Sequence, residues 1–317
     1  MMINLAELDA AALFVHRFLA PTPQLQWPLL AQATGCDIWV KHENHLPTGA
    51  FKVRGGLVYL EWLRQQAVVA GVITATRGNH GQSIGYAARK VGLPATVVVP
   101  HGNSREKNAA MRALGVELIE EGHDFQAAAE HAARLAQERG LHRVPSFHPL
   151  LVRGVATYGL ELFRAVNDID TIYVPIGMGS GSCGVIAARN ALNQSTRVVG
   201  VVAEGAPAYA LSFRHRELLA TASADTFADG VACRVPDAEA LAVMFHGLER
   251  VVMVPDPEIR EAMRLYFTAT HNVAEGAGAI ALAALMREKE MMKGKRVAVV
   301  LSGGNVDREV FAPVLSV

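Results

Sequence analysis

Short, almost wholly apolar segments alternate with longer helical patterns along most of this 317-residue chain. Segments that are apolar throughout are typical of strands buried on both faces, which occur in parallel sheets covered by helices. The predicted strands are residues 38–41, 72–76, 96–99, 117–120, 171–175, 198–203, 251–254 and 296–301. The predicted helices include residues 82–91, 106–114, 125–139, 184–192, 257–269 and 277–288. This alternation predicts an α/β protein with open, twisted, mainly parallel sheets flanked by helices.

The chain length predicts about two lobes, because a domain typically has roughly 150 residues. Proline-containing interruptions near residues 145–149 and at Pro47 mark the expected crossings between the lobes. We therefore predict a large lobe of residues 1–47 and 148–317 and a small lobe of residues 48–147. Ligands of such sheets bind at the carboxyl ends of the strands, in the crevice between the lobes.

The charges of the chain balance, with 30 Lys and Arg against 30 Asp and Glu, so nucleic acid is not an expected partner. No apolar run reaches the ~18 residues of a membrane span, so no membrane partner is expected either. The N-terminus lacks the pattern of a signal peptide. The three cysteines, Cys36, Cys183 and Cys233, are widely spaced and odd in number. These observations predict a cytoplasmic protein without a disulfide framework.

Lys52 lies in the stretch Thr-Gly-Ala-Phe-Lys-Val-Arg-Gly-Gly, residues 48–56. An amine that loses its proton when partly desolvated can form a Schiff base with an aldehyde cofactor. The alternative is a surface lysine whose stem packs against Phe51, which is the commoner arrangement of a lysine. Taken alone, the segment favours a surface lysine. Two further glycine-rich segments shift the balance toward a Schiff-base lysine.

The run Thr76-Arg77-Gly78-Asn79-His80 follows a predicted strand and opens a helix. Backbone N–H groups at a helix start are unpaired, and they favour a carboxylate or phosphate. The side chain of Asn79 could bond a ring hydroxyl. The alternative is an ordinary strand–helix turn with Asn79 in a left-handed conformation.

A second glycine-rich loop, Gly177-Met178-Gly179-Ser180-Gly181, follows the predicted strand 171–175 and precedes an apolar helix. Glycines allow the backbone to wrap closely around a phosphate. The spacing matches neither the P-loop nor the dinucleotide pattern, so a monophosphate is predicted. The alternative of a flexible loop is disfavoured, because glycine carries an entropic cost without a packing return.

Ser302 begins the turn Ser-Gly-Gly-Asn after the last predicted strand, where its hydroxyl could bond a neutral pyridine nitrogen. A tight turn that merely closes the fold is the alternative. Together, however, the three segments supply an amine, a phosphate-binding loop and a partner for a ring nitrogen.

Several segments of this chain resemble the threonine/serine dehydratase family of pyridoxal 5'-phosphate enzymes. These are Lys-His-Glu-Asn at 41–44, Thr-Gly-Ala-Phe-Lys-Val-Arg-Gly at 48–55, Gly-Asn-His-Gly-Gln at 78–82, Ala-Asp-Gly-Val-Ala at 228–232 and Ser-Gly-Gly-Asn at 302–305. The family has fold type II, like the tryptophan synthase β chain, and includes relatives such as serine racemase. The resemblance covers nearly the whole chain in order. No C-terminal regulatory domain is expected, since the chain ends soon after this turn.

The resemblance implies a role for each matching residue. Lys52 would carry the cofactor as a Schiff base and act as the catalytic base. The cofactor would also contact Phe51, Asn79 at its 3-hydroxyl, Ser302 at its pyridine nitrogen, and, at its phosphate, Gly177, Met178, Gly179, Ser180 and Gly181. The substrate carboxylate would lie on the backbone of Thr76, Arg77, Gly78, Asn79 and His80.

The implied reaction is β-elimination of a 3-hydroxy amino acid such as L-threonine or L-serine, giving a 2-oxo acid and ammonia. It is a reaction of amino-acid catabolism, and a homodimer is expected from the family. A serine at the ring nitrogen favours elimination over transamination. Racemisation, β-replacement and dehydration of 3-hydroxyaspartate on the same cofactor are alternatives, as is a non-catalytic cofactor-binding protein.

The chain departs from the family pattern at several positions. Arg77 replaces a small residue whose serine is the second base in serine racemase, which weakens the racemase interpretation. Arg77 could instead bind a second substrate carboxylate, or face solvent or bridge the lobes. Met178 and Ser180 replace two glycines. Of the divalent-ion ligands of some relatives only Glu204 remains as a weak candidate, so no metal is expected.

Overall fold

The computed structural model describes residues 3–316, which form two β-sheets surrounded by helices. The strands are β1 (Gln24–Gln26), β2 (Asp37–His42), β3 (Val72–Ala75), β4 (Ala95–Val99), β5 (Glu117–Glu120), β6 (His142–Arg143), β7 (Thr171–Pro175), β8 (Arg197–Ala203), β9 (Arg250–Val254) and β10 (Arg296–Leu301). The helices are α1 (Leu5–Val15), α2 (Pro28–Thr34), α3 (Val53–Gln66), α4 (Asn79–Val91), α5 (Arg105–Ala113), α6 (Phe125–Arg139), α7 (Pro149–Ala165), α8 (Ser180–Ala191), α9 (Ala208–His215), α10 (Ala238–Gly247), α11 (Asp256–Thr270), α12 (Gly276–Arg287), α13 (Lys289–Met292) and α14 (Arg308–Leu315). Single turns of 3-10 helix lie at Glu43–His45 and Asp229–Val231.

The larger sheet has six strands in the order β1-β2-β10-β7-β8-β9. Only the pair β1 and β2 at its edge is antiparallel. The smaller sheet has four strands in the order β5-β4-β3-β6, all parallel. The predicted α/β class with mainly parallel sheets is confirmed.

The eight predicted strands are all present, and each end agrees within one residue. They were recognisable because both faces are covered: β3 and β4, for example, are buried at every position. The strands β1 and β6 were not predicted. They have three and two residues and are polar or partly exposed, so they carry too little apolar pattern.

Two predicted helices begin earlier than expected. The helix predicted from residue 82 starts at Asn79, and the one predicted from residue 184 starts at Ser180. Glycine and serine disfavour helix interiors, which made both starts look like loop. In each case a glycine with positive φ directly precedes the helix, Gly78 at 151° and Gly179 at 98°. The predicted ranges do not include α3 and α7, nor α1, α2, α9, α10, α13 and α14.

The four strands of the smaller sheet all lie within residues 48–147, and those of the larger sheet lie outside that range. The proposed lobe boundaries themselves stay a prediction. The helices α3 and α7 cross at two glycines, Gly55 and Gly154. A Cβ on Gly154 would lie 2.3 Å from the carbonyl oxygen of Arg54, so the two backbones are in direct contact. This crossing holds the start of α3, directly after Lys52, against α7.

None of the helices within residues 3–316 combines the length and the apolar character that a passage through a membrane requires.

Candidate active site

A cavity of about 590 Å³ opens between the two sheets, at the carboxyl ends of β3, β7 and β10. This is where parallel sheets bind ligands. Its lining includes every residue predicted to bind cofactor or substrate: Phe51, Lys52, Thr76, Arg77, Gly78, Asn79, His80, Gly177, Met178, Gly179, Ser180, Gly181 and Ser302. The fold therefore brings the three predicted segments together, while the role of each residue stays a prediction.

Lys52 stands immediately before α3, on a segment that pairs with the end of β10. The backbone N–H of Phe51 donates to the carbonyl of Ser302 at 3.1 Å, and Ala50 forms an antiparallel bridge with Gly303. The Nζ atom of Lys52 lies 4.9 Å from the ring centroid of Phe51. Burial lowers the pKa of Lys52 to about 8, although the carboxylate of Glu275 opposes the shift. At neutral pH roughly a tenth of this amine is therefore neutral and nucleophilic, far more than for an exposed lysine.

The turn from Thr76 to His80 joins β3 to α4. The hydroxyl of Thr76 accepts a hydrogen bond from the N–H of Gly78 at 2.9 Å. Gly78 adopts φ 151°, which L residues with a side chain rarely take, and Asn79 has ordinary helical geometry. The alternative that placed Asn79 in a left-handed conformation is therefore wrong. The free N–H groups at this helix start face the cavity and suit a carboxylate.

His80 contributes a neutral imidazole to the cavity. Burial, helped by the nearby charge of Lys52, lowers the pKa of His80 to about 3. Its Nε2 atom is buried and has no hydrogen-bond partner among the described residues. A buried polar atom of this kind calls for a partner that the protein itself does not provide.

The loop 177–181 joins β7 to the 12-residue helix α8. Its glycines are needed for close packing as well as for ligand approach. A Cβ on Gly177 would lie 2.3 Å from the carbonyl oxygen of Gly230, and one on Gly179 would lie 2.7 Å from the Cβ of Ala240. The loop is held from behind, since the hydroxyl of Tyr158 donates to the carbonyl of Gly181 at 3.0 Å. It forms a rigid, glycine-lined site at a helix N-terminus, which suits a phosphate.

Ser302 lies at the end of β10, buried with 4% of its surface exposed. It lines the cavity, and its hydroxyl donates to the carbonyl of Ala277 at 3.2 Å. A neutral hydroxyl at this position can also rotate to donate a hydrogen bond to a ring nitrogen.

Lys107, Asp229 and Glu275 also line the cavity and were not among the predicted site residues, and neither was Asn305, which bonds the Asn79 side chain from outside the lining. Glu275 is only 3% exposed and accepts a hydrogen bond from the side chain of Asn79 at 2.6 Å. Burial raises the pKa of the Glu275 carboxyl, and the ammonium of Lys107 opposes that shift. Asp229 and Asn305 lie within motifs that the resemblance includes, whereas no local pattern marks Lys107 and Glu275.

Arg77 lines the cavity with an exposed side chain, and within residues 3–316 it has no ion-pair partner. It does not bridge the lobes through a salt bridge. Glu204 follows β8, is exposed and is not part of the cavity lining. Among residues 3–316, no three His, Cys, Asp or Glu side chains are arranged to hold a metal ion.

The residues present fit pyridoxal phosphate. The cavity contains a lysine amine with a lowered pKa, a glycine-lined helix start and a buried serine hydroxyl. It also contains a buried polar atom without a hydrogen-bond partner among the described residues, His80 Nε2. An aldehyde, a phosphate and a ring nitrogen would each find a complementary group there.

Comparisons with known proteins agree with this arrangement. Residues 15–303 match the family described as pyridoxal-phosphate dependent enzyme. L-threonine ammonia-lyase of Thermotoga maritima is 33% identical over 307 residues, which span 96% of this chain and 76% of the relative. The catabolic L-threonine dehydratase TdcB of Staphylococcus aureus is 31% identical over 311 residues, spanning 96% and 90%. The structure of maize serine racemase superposes with a TM-score of 0.93 at 26% identity, covering 99% of this chain and 97% of that one. The chain therefore belongs to the pyridoxal phosphate-dependent enzymes, in the threonine/serine dehydratase family of fold type II.

Proposed function

We propose that this protein is an ammonia-lyase that dehydrates L-threonine or L-serine, releasing a 2-oxo acid and ammonia. The observation that carries the proposal is the amine of Lys52, whose pKa is lowered to about 8, in a cavity with a phosphate-type helix start and the Ser302 hydroxyl. The threonine ammonia-lyase and threonine dehydratase relatives, at 33% and 31% identity, support the same reaction.

Four groups would hold the cofactor. Lys52 would bind its aldehyde carbon, the loop 177–181 with the start of α8 its phosphate, Ser302 its ring nitrogen and Asn79 its 3-hydroxyl. When bound, pyridoxal phosphate supplies an electron sink that stabilises negative charge at the substrate Cα.

The protein's own groups would do the rest. The substrate carboxylate would accept hydrogen bonds from the free N–H groups at the start of α4, which fixes the Cα–H bond relative to Lys52. Lys52, once free, would take the Cα proton at Nζ. Neutral His80 would present an acceptor without adding a second positive charge beside that amine.

Racemisation is the less supported reaction. It requires a group on the face opposite Lys52 that can both give and take a proton. Arg77 stands at the position that the resemblance assigns to that group, and a guanidinium stays protonated in proteins. Net elimination, which needs only one base, is compatible with this arginine.

Incubation of the holoenzyme with L-threonine and L-serine tests the proposal. We expect a 2-oxo acid and ammonia in equal amounts, and no product with Lys52→Ala. The matched control is Lys289→Ala, which removes an exposed lysine of α13 far from the cavity and should retain activity. Cofactor binding without product from either amino acid would instead support a non-catalytic binding protein. Chiral analysis of the remaining substrate detects racemisation.

A second candidate substrate is 3-hydroxyaspartate, because the exposed guanidinium of Arg77 at the cavity is free to pair with a second carboxylate. We expect Arg77→Ala to lower kcat/KM for 3-hydroxyaspartate by about tenfold or more while leaving L-threonine within about twofold. An equal change on both substrates would exclude the second-carboxylate role.

We further propose that the enzyme works as a cytoplasmic homodimer with lobes at residues 1–47 and 148–317 and at residues 48–147. The division of the strands between the two sheets supports the lobe ranges. Sedimentation of the holoenzyme tests the dimer, and limited proteolysis near residues 47 and 147 tests the boundaries.

A further inference from the structure

The first turn of α5 is attached to the opposite side of the cavity at consecutive residues. Ser104, which caps this helix, donates its hydroxyl hydrogen bond to Asp307. The same carboxylate accepts from the N–H groups of Arg105 at 3.1 Å and Glu106 at 3.3 Å. Helix α5 belongs to the part of the chain that carries the smaller sheet, and Asp307 follows β10 of the larger one. The turn therefore joins the two sides beside the cavity.

Lys107 continues this attachment into the cavity itself. It is 5% exposed, and its Nζ lies 2.6 Å from Oδ2 of Asp229 and 3.3 Å from Oε2 of Glu275. Although burial opposes it, the two carboxylates hold the pKa of Lys107 well above its usual range. The stem of Lys107 also packs on the substrate-binding turn: a Cβ on Gly78 would lie 2.4 Å from its Cδ.

Glu275 connects Lys107 to Asn79. Its Oε1 accepts the hydrogen bond from the Asn79 amide at 2.6 Å, and Oε2 faces only the ammonium of Lys107 at 3.3 Å, without the alignment of a hydrogen bond. Asn79 is held on its other side, where its oxygen accepts from Asn305 at 2.9 Å. A buried carboxylate is costly unless a cation accompanies it. Lys107 is that cation, so the geometry of Asn79 depends on a residue that does not touch it.

We propose that Lys107 is a positioning residue, which joins the two sides of the cavity and, through Glu275, orients the side chain of Asn79 toward the cofactor. The inference rests on the proposed placement of pyridoxal phosphate and goes beyond it. It does not depend on which amino acid is the substrate, because cofactor binding alone can test it.

The central variant is Lys107→Met in the holoenzyme. Methionine retains most of the stem that packs on Gly78 and removes the ammonium, with its hydrogen bond to Asp229. We expect the dissociation constant for pyridoxal phosphate to rise about tenfold and the circular dichroism of the bound-cofactor band to fall, because Glu275 loses its cation and Asn79 its fixed acceptor. Lys107→Arg should restore both within about threefold, since it retains the charge.

The matched control is Asp307→Asn, which weakens the other attachment of the same helix turn and leaves Glu275 and Asn79 untouched. It should lower the unfolding midpoint but leave the cofactor band unchanged. If Asp307→Asn reduced the band as much as Lys107→Met, Lys107 would serve only to join the two sides, and the proposal would be wrong.

A double variant, Lys107→Met with Glu275→Gln, separates the route through Glu275 from every other effect and also serves if the single variant fails to fold. The amide introduced by Glu275→Gln offers Asn79 an acceptor oxygen without a buried charge. We expect cofactor affinity to recover to within about threefold of the wild type, because the buried charge of Glu275 is gone, while Asp229, which also loses Lys107, has a side chain 28% exposed that water can solvate. A double variant that binds as weakly as Lys107→Met, or a Lys107→Met enzyme with wild-type affinity and dichroism, would overturn the proposal. If the wild type binds the cofactor but shows no lyase activity, the proposed reaction is wrong and the role of Lys107 is unaffected.

Discussion

Arg54 donates two hydrogen bonds to the carboxylate of Glu161, at 2.6 and 3.0 Å. It donates two more to Glu43, at 2.7 and 3.0 Å, and the side chains of Arg54 and Glu43 are fully buried. Arg54 lies two residues after Lys52, on α3, and Glu161 lies on α7. The pair therefore fixes the start of the helix that follows Lys52, directly at the crossing of Gly55 and Gly154.

The first prediction concerns this pair. Arg54→Met would leave two carboxylates buried without their main cation, which typically costs about 3–5 kcal/mol. We expect the free energy of unfolding in urea to fall by that amount and cofactor retention to fall with it. The control is Arg64→Met, whose salt bridge to Glu61 is on the surface and should be worth less than about 1 kcal/mol. Equal losses in the two variants would contradict the prediction.

The second prediction concerns acid stability. Burial opposes ionisation of Glu161, but Arg54 and Lys41 prevail and lower its pKa from 4.5 to about 2. A carboxyl whose pKa is depressed by folding stabilises the protein above its unfolded pKa, and this contribution is lost as the pH falls toward the folded value. The contribution is on the order of 3 kcal/mol. Urea unfolding between pH 5 and pH 3 should therefore depend less steeply on pH in Glu161→Gln, while Glu290→Gln, at an exposed position, should follow the wild type.

The third prediction concerns attachment of the cofactor to Lys52. Only the neutral amine attacks an aldehyde, and its pKa is about 8. Stopped-flow measurement on cofactor-free protein should show a rate that rises with pH, with a midpoint near 8. Because the Glu275 carboxylate raises this pKa, Glu275→Gln should move the midpoint to lower pH. A midpoint near that of a free lysine, about 10.4, would show that the amine is not desolvated.

The fourth prediction concerns the glycine before α8. In Gly179→Ala the new side chain must adopt φ 98°, and its Cβ would lie 2.7 Å from Cβ of Ala240 and 2.8 Å from Cε of Met244. In Gly140→Ala the residue must adopt φ 63°, but no atom lies within 4 Å of the new Cβ. Both substitutions should cost roughly 1 kcal/mol of backbone strain. Only Gly179→Ala should also weaken pyridoxal phosphate binding, by about tenfold, because the helix start must move. Isothermal titration with the cofactor measures the difference, and similar affinities in both variants would argue against a phosphate site there.

Much of the fold and part of the site could be predicted from local pattern. The strands β4 and β7 are marked by continuous apolar residues, and Lys52, Asn79 and Ser302 by the turns that contain them. The start of α8 could not be placed, since the helix propensity of glycine and serine is low and the positive φ of Gly179 is set by its packing. Lys107, within a predicted helix, and Glu275, just before one, carried no local signal, because an isolated lysine or glutamate is usually on the surface.

The sequence by itself determined the α/β class, the order of the eight longer strands and the segment of the lysine that can hold an aldehyde, because apolar periodicity and turn-forming residues act over a few neighbouring positions. Only the tertiary structure decided which charges meet: Asn79 and Glu275 are 196 positions apart, and Arg54 and Glu161 are 107 apart. Such pairs form because a buried charge must find a partner wherever the packing of helices and sheets brings one, and no spacing along the chain records that encounter.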